Sequence, residues 1–253
     1  MPLLTINGYA HNYEEVGEGP PLVFLGPTRF TSAKAWAPYF QEHGAGFRTI
    51  LPDPRGLGGS AHTAEVRPQD WVADLKGLLD ALDLPAVHLA GGNMGSPIAA
   101  RFAAEHPERV LTLMLTSAIA YSYPAADAFR RSSADVSSVP PDRAEAMREQ
   151  HGEDWPAVNK FYLDMQARPD FHDYYDIRKV AATIRAPTLL LAGDIHDDIH
   201  PVAHSVELHR LIPISWLAIF PNTQNALRDR SQESWKTIKE FMAAFDARSA
   251  GGA

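Results

Sequence analysis

The stretch Gly91-Gly92-Asn93-Met94-Gly95 constrains this chain more than any other. The apolar run Ala86-Val87-His88-Leu89-Ala90 leads into it, and Ser96-Pro97-Ile98-Ala99-Ala100-Arg101-Phe102 leads out with helical character. Glycines on both sides of one larger residue permit a strained strand-to-helix turn that lifts the central side chain above a sheet. A turn of that kind belongs between a buried strand and a helix packed back on it, which predicts an α/β chain.

The rest of the chain repeats the alternation. Short apolar runs at Leu3–Ile6, Ala10–Val16, Leu22–Leu25, Phe47–Leu51, Ala86–Ala90, Val110–Leu115, Thr188–Ala192 and Trp216–Phe220 read as strands. Helical patterns fall near Ala33–Glu42, Gln69–Leu82 and Gln232–Phe245; in the second, Trp71, Leu75, Leu78, Leu79 and Leu82 recur at helical spacing. Together they predict a mostly parallel eight-stranded sheet flanked by helices, with Asn7-Gly8 turning an opening antiparallel pair. Between Ala120 and Arg185 the alternation breaks, and charge, proline and aromatics increase. The expected organisation is a core over 1–119 and 186–248, an inserted helical cap over 120–185, and a disordered tail over 249–253.

At 253 residues the chain suits one α/β domain with an insertion, and its 45% hydrophobic and 21% charged content is that of a globular protein. The charge of −8 and the lack of a basic stripe argue against a nucleic-acid partner. No cysteine is present, so disulfides and thiol nucleophiles are excluded. The amino terminus lacks a basic segment followed by a long apolar one, and no apolar run reaches membrane-spanning length. These features predict a cytoplasmic protein with no membrane partner and leave a homo-oligomer open. His196, His200 and His204 lie near Asp197 and Asp198, but without the Glu of a zinc motif they read as packing or surface histidines. No metal and no organic cofactor is implied.

Five segments, in order, carry a family resemblance: Pro20-Pro21-Leu22-Val23-Phe24-Leu25-Gly26, Asp53-Pro54-Arg55-Gly56-Leu57-Gly58-Gly59-Ser60, the turn at 91–95, Glu105-His106-Pro107-Glu108-Arg109-Val110, and Ile184 through Asp194. With them the chain resembles the α/β-hydrolase superfamily over nearly its whole length. The resemblance implies the α/β-hydrolase fold and a triad in the order nucleophile, acid, histidine. The nucleophile position falls on Asn93, whose delocalised amide is a poor nucleophile. The acid falls on Asp197, with Asp198 the alternative, and the histidine falls on Asn225, or on Gln224 under a one-residue slip. Ser96, one turn past Asn93, reads as a backbone-bonding residue.

Thr28 and Met94 are the expected main-chain donors to a substrate oxygen, since Pro27 has no N–H. His200 is the expected replacement acid or base. Among the cap aromatics Tyr121, Tyr123, Phe129, Trp155, Phe161, Tyr162, Phe171, Tyr174 and Tyr175, most are expected to hold the cap and a few to line a pocket for a hydrophobic small molecule, without the spacing telling which. The functional expectation is an enzyme without the usual triad. It would catalyse a non-hydrolytic cyclisation, dehydration, C–C lysis or isomerisation of a carbonyl compound, in the manner of lyases and cyclases of natural-product biosynthesis. The alternatives are a non-catalytic small-molecule-binding protein and a hydrolase rewired to activate water through Asp197 or His200.

Overall fold

The structure is a computed structural model that describes residues 3–26, 28–63, 65–122, 128, 135–195 and 199–250. Its strands are β1 (Leu3–Ile6), β2 (Tyr9–Val16), β3 (Pro21–Leu25), β4 (Arg48–Pro52), β5 (Val87–Gly92), β6 (Val110–Thr116), β7 (Thr188–Gly193) and β8 (Ser215–Phe220). They form one sheet in the order β1-β2-β4-β3-β5-β6-β7-β8. The β1–β2 and β2–β4 pairs are antiparallel and the remaining pairs parallel. The expected eight-stranded, mostly parallel sheet is therefore what the chain builds.

Period-two alternation explains why the central strands read as unbroken apolar runs. In β3, Leu22 and Phe24 point to one face, where α1 (Ala33–His43) supplies Trp36 and Phe40 and the C-terminal helix supplies Trp235 and Phe241. Val23 and Leu25 point to the other, against α2 (Asp70–Ala81) and α3 (Gly95–Glu105). The Phe24 ring meets Trp36 edge-on with centroids 4.7 Å apart and lies 4.8 Å from Phe40. Each such fully buried side chain contributes about 1.5–3 kcal/mol.

Between β6 and β7 lie α4 (Pro141–His151), α5 (Trp155–Gln166) and α6 (Pro169–Tyr174). After β7 come α7 (Val202–Leu211), then β8, the short α8 (Ala226–Asp229) and α9 (Ser231–Ala250). The helix α9 runs through Ser249 and Ala250, which corrects the expected start of the tail; residues 251–253 lie outside the described residues. Among the described residues, no helix is long and apolar enough to cross a membrane.

Candidate active site

The turn at 91–95 is built by close approach. A Cβ on Gly95 would lie 1.7 Å from the Leu25 carbonyl oxygen, and one on Gly91 would lie 2.4 Å from the Gly95 carbonyl oxygen. Only glycine lets α3 begin so tightly against β3 and β5. Between them Asn93 takes φ +51°, a left-handed conformation that asparagine tolerates better than most side chains. Its N–H donates to the Thr116 carbonyl at 3.3 Å, and its carbonyl accepts from the Ser96 amide at 3.1 Å. The buried Ser96 hydroxyl donates to the carbonyls of Gly91 (3.0 Å) and Thr116 (3.3 Å), so it bonds backbone.

Asn93 and Met94 form the floor of a cavity of about 220 Å³ at the C-terminal ends of β3, β5 and β6. Its roof comes from Tyr162, Leu163 and Gln166 of α5, Phe171 and His172 of α6, and Tyr175. Tyr121, Ser122, Ile199 and His200 close one side, and Thr28, Arg29 and Phe30 the other. Most of this wall is apolar. Burial pushes the Tyr175 hydroxyl well above the ordinary phenol range, and that hydroxyl donates to the Pro68 carbonyl.

The two expected main-chain donors differ. Among the described residues no acceptor takes the Met94 N–H, which stands at the start of α3 where helix amides lack internal partners. The Thr28 N–H instead donates to the Thr31 carbonyl at 3.0 Å, closing a tight turn that Thr31 N–H returns to Thr28 at 3.2 Å. This corrects the expectation that Thr28 offers its amide to a substrate. Thr28 lines the pocket, and its hydroxyl accepts from the Phe30 amide at 3.1 Å.

Arg29 is a pocket residue that sequence reasoning passed over, since a single arginine in a loop carries no periodic signal. It is 3% exposed, and its Nη1 donates to Asn159 Oδ1 at 2.8 Å. Burial lowers its pKa, yet a guanidinium stays charged in a protein. Its carbonyl meets His151 Nε2 at 3.0 Å, and the other ring nitrogen, Nδ1, accepts from the Gly58 amide at 2.9 Å. The second bond fixes the tautomer with the proton on Nε2. Burial lowers the His151 pKa to about 4. A neutral imidazole from α4 thereby pins the loop carrying Arg29. His172 is a second pocket side chain not singled out from sequence.

The opposite side of the sheet edge departs further from expectation. Asp197, with His196 and Asp198, lies outside the described residues. Asn225 caps α8: its Oδ1 accepts from the Arg228 amide at 3.2 Å, and its own N–H donates to Asp229 at 3.1 Å. Neither Asn225 nor the exposed Gln224 lines the cavity. The expectation that Asn225 stands at the catalytic histidine position is thus corrected, because asparagine at the start of a helix satisfies an orphan amide there. His200 does reach the pocket wall. His204 is buried in α7, its Nδ1 accepts from the Ala120 amide at 3.3 Å, and burial lowers its pKa to about 4. Among the described residues no cluster suited to a metal ion occurs.

Comparison with known proteins adds the chemistry of relatives. A family model described as alpha/beta hydrolase fold matches residues 2–175. The chain is 28% identical to 2-hydroxy-6-oxo-2,4-heptadienoate hydrolase of Pseudomonas putida, over 96% of this chain and 96% of that protein. It is 34% identical over 119 residues to 2-hydroxy-6-oxo-6-phenylhexa-2,4-dienoate hydrolase of Comamonas testosteroni, covering 44% of this chain and 40% of that one. Among solved structures, the enol-lactonase of Burkholderia xenovorans LB400 superposes with a TM-score of 0.75 at 20% identity, over 96% of this chain and 100% of that one. The Pseudomonas putida and Comamonas testosteroni relatives are named as hydrolases. That overturns the expectation of a non-hydrolytic lyase, cyclase or isomerase of natural-product biosynthesis, and it leaves the binding-only and rewired-hydrolase alternatives without support.

Proposed function

The chain belongs to the alpha/beta hydrolase fold family, a family of enzymes, and from that premise we propose that it hydrolyses a carbonyl compound with an apolar body. The observation that carries the reading is the Met94 amide at the pocket floor, beside Asn93 and with no acceptor among the described residues. An amide aimed at a developing oxyanion in a water-poor cavity is worth about 3 kcal/mol, roughly a hundredfold or more in rate. Asn93 adds a neutral hydrogen-bonding group at the same floor. An amide side chain makes a poor nucleophile, so this reading assigns no covalent intermediate to Asn93. The relatives' named substrates, 2-hydroxy-6-oxo-dienoates, supply the substrate class: an oxo carbon in a conjugated, largely apolar chain.

The test is turnover of 2-hydroxy-6-oxo-6-phenylhexa-2,4-dienoate in ¹⁸O-labelled water, followed by loss of its visible absorbance and by mass spectrometry of the benzoate released. We expect one solvent oxygen in the benzoate and no covalent enzyme adduct during the first turnovers. A folded protein that leaves this dienone, an enol lactone and an aryl ester all intact would overturn the reading.

A further inference from the structure

We propose that β8 is the interface of a two-fold dimer, in which it pairs antiparallel with β8 of a second copy of this chain; the hydrolase reading neither requires nor excludes this. β8 ends the sheet and pairs with β7 along one side only. The carbonyls of Ile214 and Phe220 accept from the Thr188 and Asp194 amides. Both backbone groups of a residue in a parallel ladder point the same way and alternate along the strand, so residues 215, 217 and 219 turn theirs outward. Among the described residues nothing meets the outward N–H and C=O of Leu217 and Ile219. The edge runs six residues beside β7 without a bulge, whereas the opposite edge, β1, has four. From Leu211 through Leu227 the sequence holds no ionisable side chain. Edges that stay single are commonly blunted by lysine, an internal proline or a bulge, and β8 has none of these.

Apolar exposure collects at this edge. Leu211 is 38% exposed, Trp216 41%, and Ile214 and Ile219 44% each. Together they show on the order of 350 Å² of apolar side chain, the size of patches that serve as binding surfaces. Trp216 is held ready for contact by Phe241 and Phe245, with ring centroids 5.5 and 6.1 Å away. A partner for this edge must itself be extended, apolar and uncharged, or it would bury unpaired charge, and β8 is such a strand. About an axis at Ala218, antiparallel pairing sets Leu217 against the partner subunit's Ile219 and Trp216 against the partner subunit's Phe220. Leu217 and Ile219 then exchange their outward N–H and C=O groups across the interface. The axis falls on a non-hydrogen-bonded pair, where side chains come closest and alanine leaves room. An axis at Leu217 would set Ile219 against the partner's Ser215, a poorer match. Doubled by the two-fold, the apolar side chains contribute on the order of 700 Å², and the paired backbone carries the total toward the ~1,000 Å² of a specific interface.

The experiment is sedimentation equilibrium of the full chain, joined to cysteine crosslinking. At about 50 µM the wild type should have the mass of two chains. Ile219→Lys puts a charge on the edge and should weaken association at least about a hundredfold, with circular dichroism unchanged. Ile219→Pro, which removes an outward N–H that β7 does not use, replaces it if Ile219→Lys does not fold. The chain has no cysteine, so Ala218→Cys places a single thiol per subunit at the axis. The two Cα atoms there lie about 4.5 Å apart, within reach of a disulfide. Mild oxidation should convert Ala218→Cys to a covalent dimer and leave Leu3→Cys, on β1, uncrosslinked. A monomeric wild type would overturn the proposal, as would association that runs on past two subunits. So would a folded Ile219 variant that still dimerises, which places the interface on another face, or an Ala218→Cys protein that does not crosslink.

Discussion

Two turns at the same edge of the sheet, after β5 and after β8, each carry an asparagine, and the two residues do different work. Asn93 stands in a left-handed turn whose side chain borders the cavity. Asn225 stands in extended backbone, φ −117°, and its side chain closes the first turn of α8. An aligned sequence treats them as a matched pair of lost catalytic groups. The backbone separates them: one is presented by glycine-enforced packing, the other is consumed by a helix terminus. What occupies a position matters less than which local hydrogen bonds have first claim on it.

The strongest way to break the β5 turn is Gly95→Ala. The added methyl would sit 1.7 Å from the Leu25 carbonyl oxygen, which is backbone in a buried strand and cannot yield. We expect a loss of about 4 kcal/mol, at the upper end for a single substitution, read as a large drop in urea midpoint or as insoluble protein. A Gly95→Ala protein as stable as the wild type would mean that the glycines are not enforced by packing.

The pocket side of the comparison also has a pH signature. His151 has a folded pKa of about 4 against 6.5 unfolded. Between those values the unfolded chain binds the extra proton, so stability rises with pH across the window. The contribution is complete above pH 6.5 and is lost as pH falls toward 4, with a ceiling of about 3 kcal/mol from the shift. Protonation would end the acceptance from Gly58 that pins α4 to the loop below it. His151→Gln, whose amide oxygen can still accept, should flatten the urea-stability profile between pH 4 and 6.5; an unchanged slope would show that the imidazole is protonated in the folded state.

For the asparagine at the floor, Asn93→Ala should lower kcat/KM for the dienone by about tenfold to a hundredfold through loss of a polar contact at the reacting oxygen. The left-handed backbone adds about 1 kcal/mol of strain to that variant, visible as a modest drop in Tm. A catalytic loss no larger than the stability change would remove Asn93 from the reaction.

The fold was legible because its signals are local and repeated. Apolar runs of strand length, the Asn7-Gly8 turn and the 91–95 glycines each state one element, and each strand falls within about two residues of its expected bounds. Of the pocket's lining, Asn93 and Met94 were legible where backbone dictates geometry, and His200 at the wall. Thr28 misled because its N–H bonds a residue three positions on, a turn that the Thr-Arg-Phe-Thr stretch does not announce. Arg29 and His151 escaped because their roles depend on Asn159 and Gly58, which lie 130 and 93 residues away in sequence. Asn225 was readable in principle: an asparagine followed by Ala226, Leu227, Arg228 and Asp229 has the form of a helix start, and that pattern ranks ahead of a family position.

The smallest effect is the sharpest probe of the contrast. Asn225→Ala deletes the acceptor for the Arg228 amide and should cost about 1 kcal/mol of stability, while kcat/KM stays within about twofold of the wild type. Asn225→Asp keeps an acceptor at the N-terminus of α8, where negative charge is favoured, and should restore most of that stability. A catalytic role would give the opposite pattern: turnover would fall with Asn225→Ala by more than stability does, and Asn225→Asp would not bring it back in step with the helix. Measuring Tm and kcat/KM on the same two variants therefore separates a cap from a catalytic contact, because a cap is rescued by any side-chain acceptor of the right length, whereas a contact to substrate is sensitive to the charge and donors of the group itself.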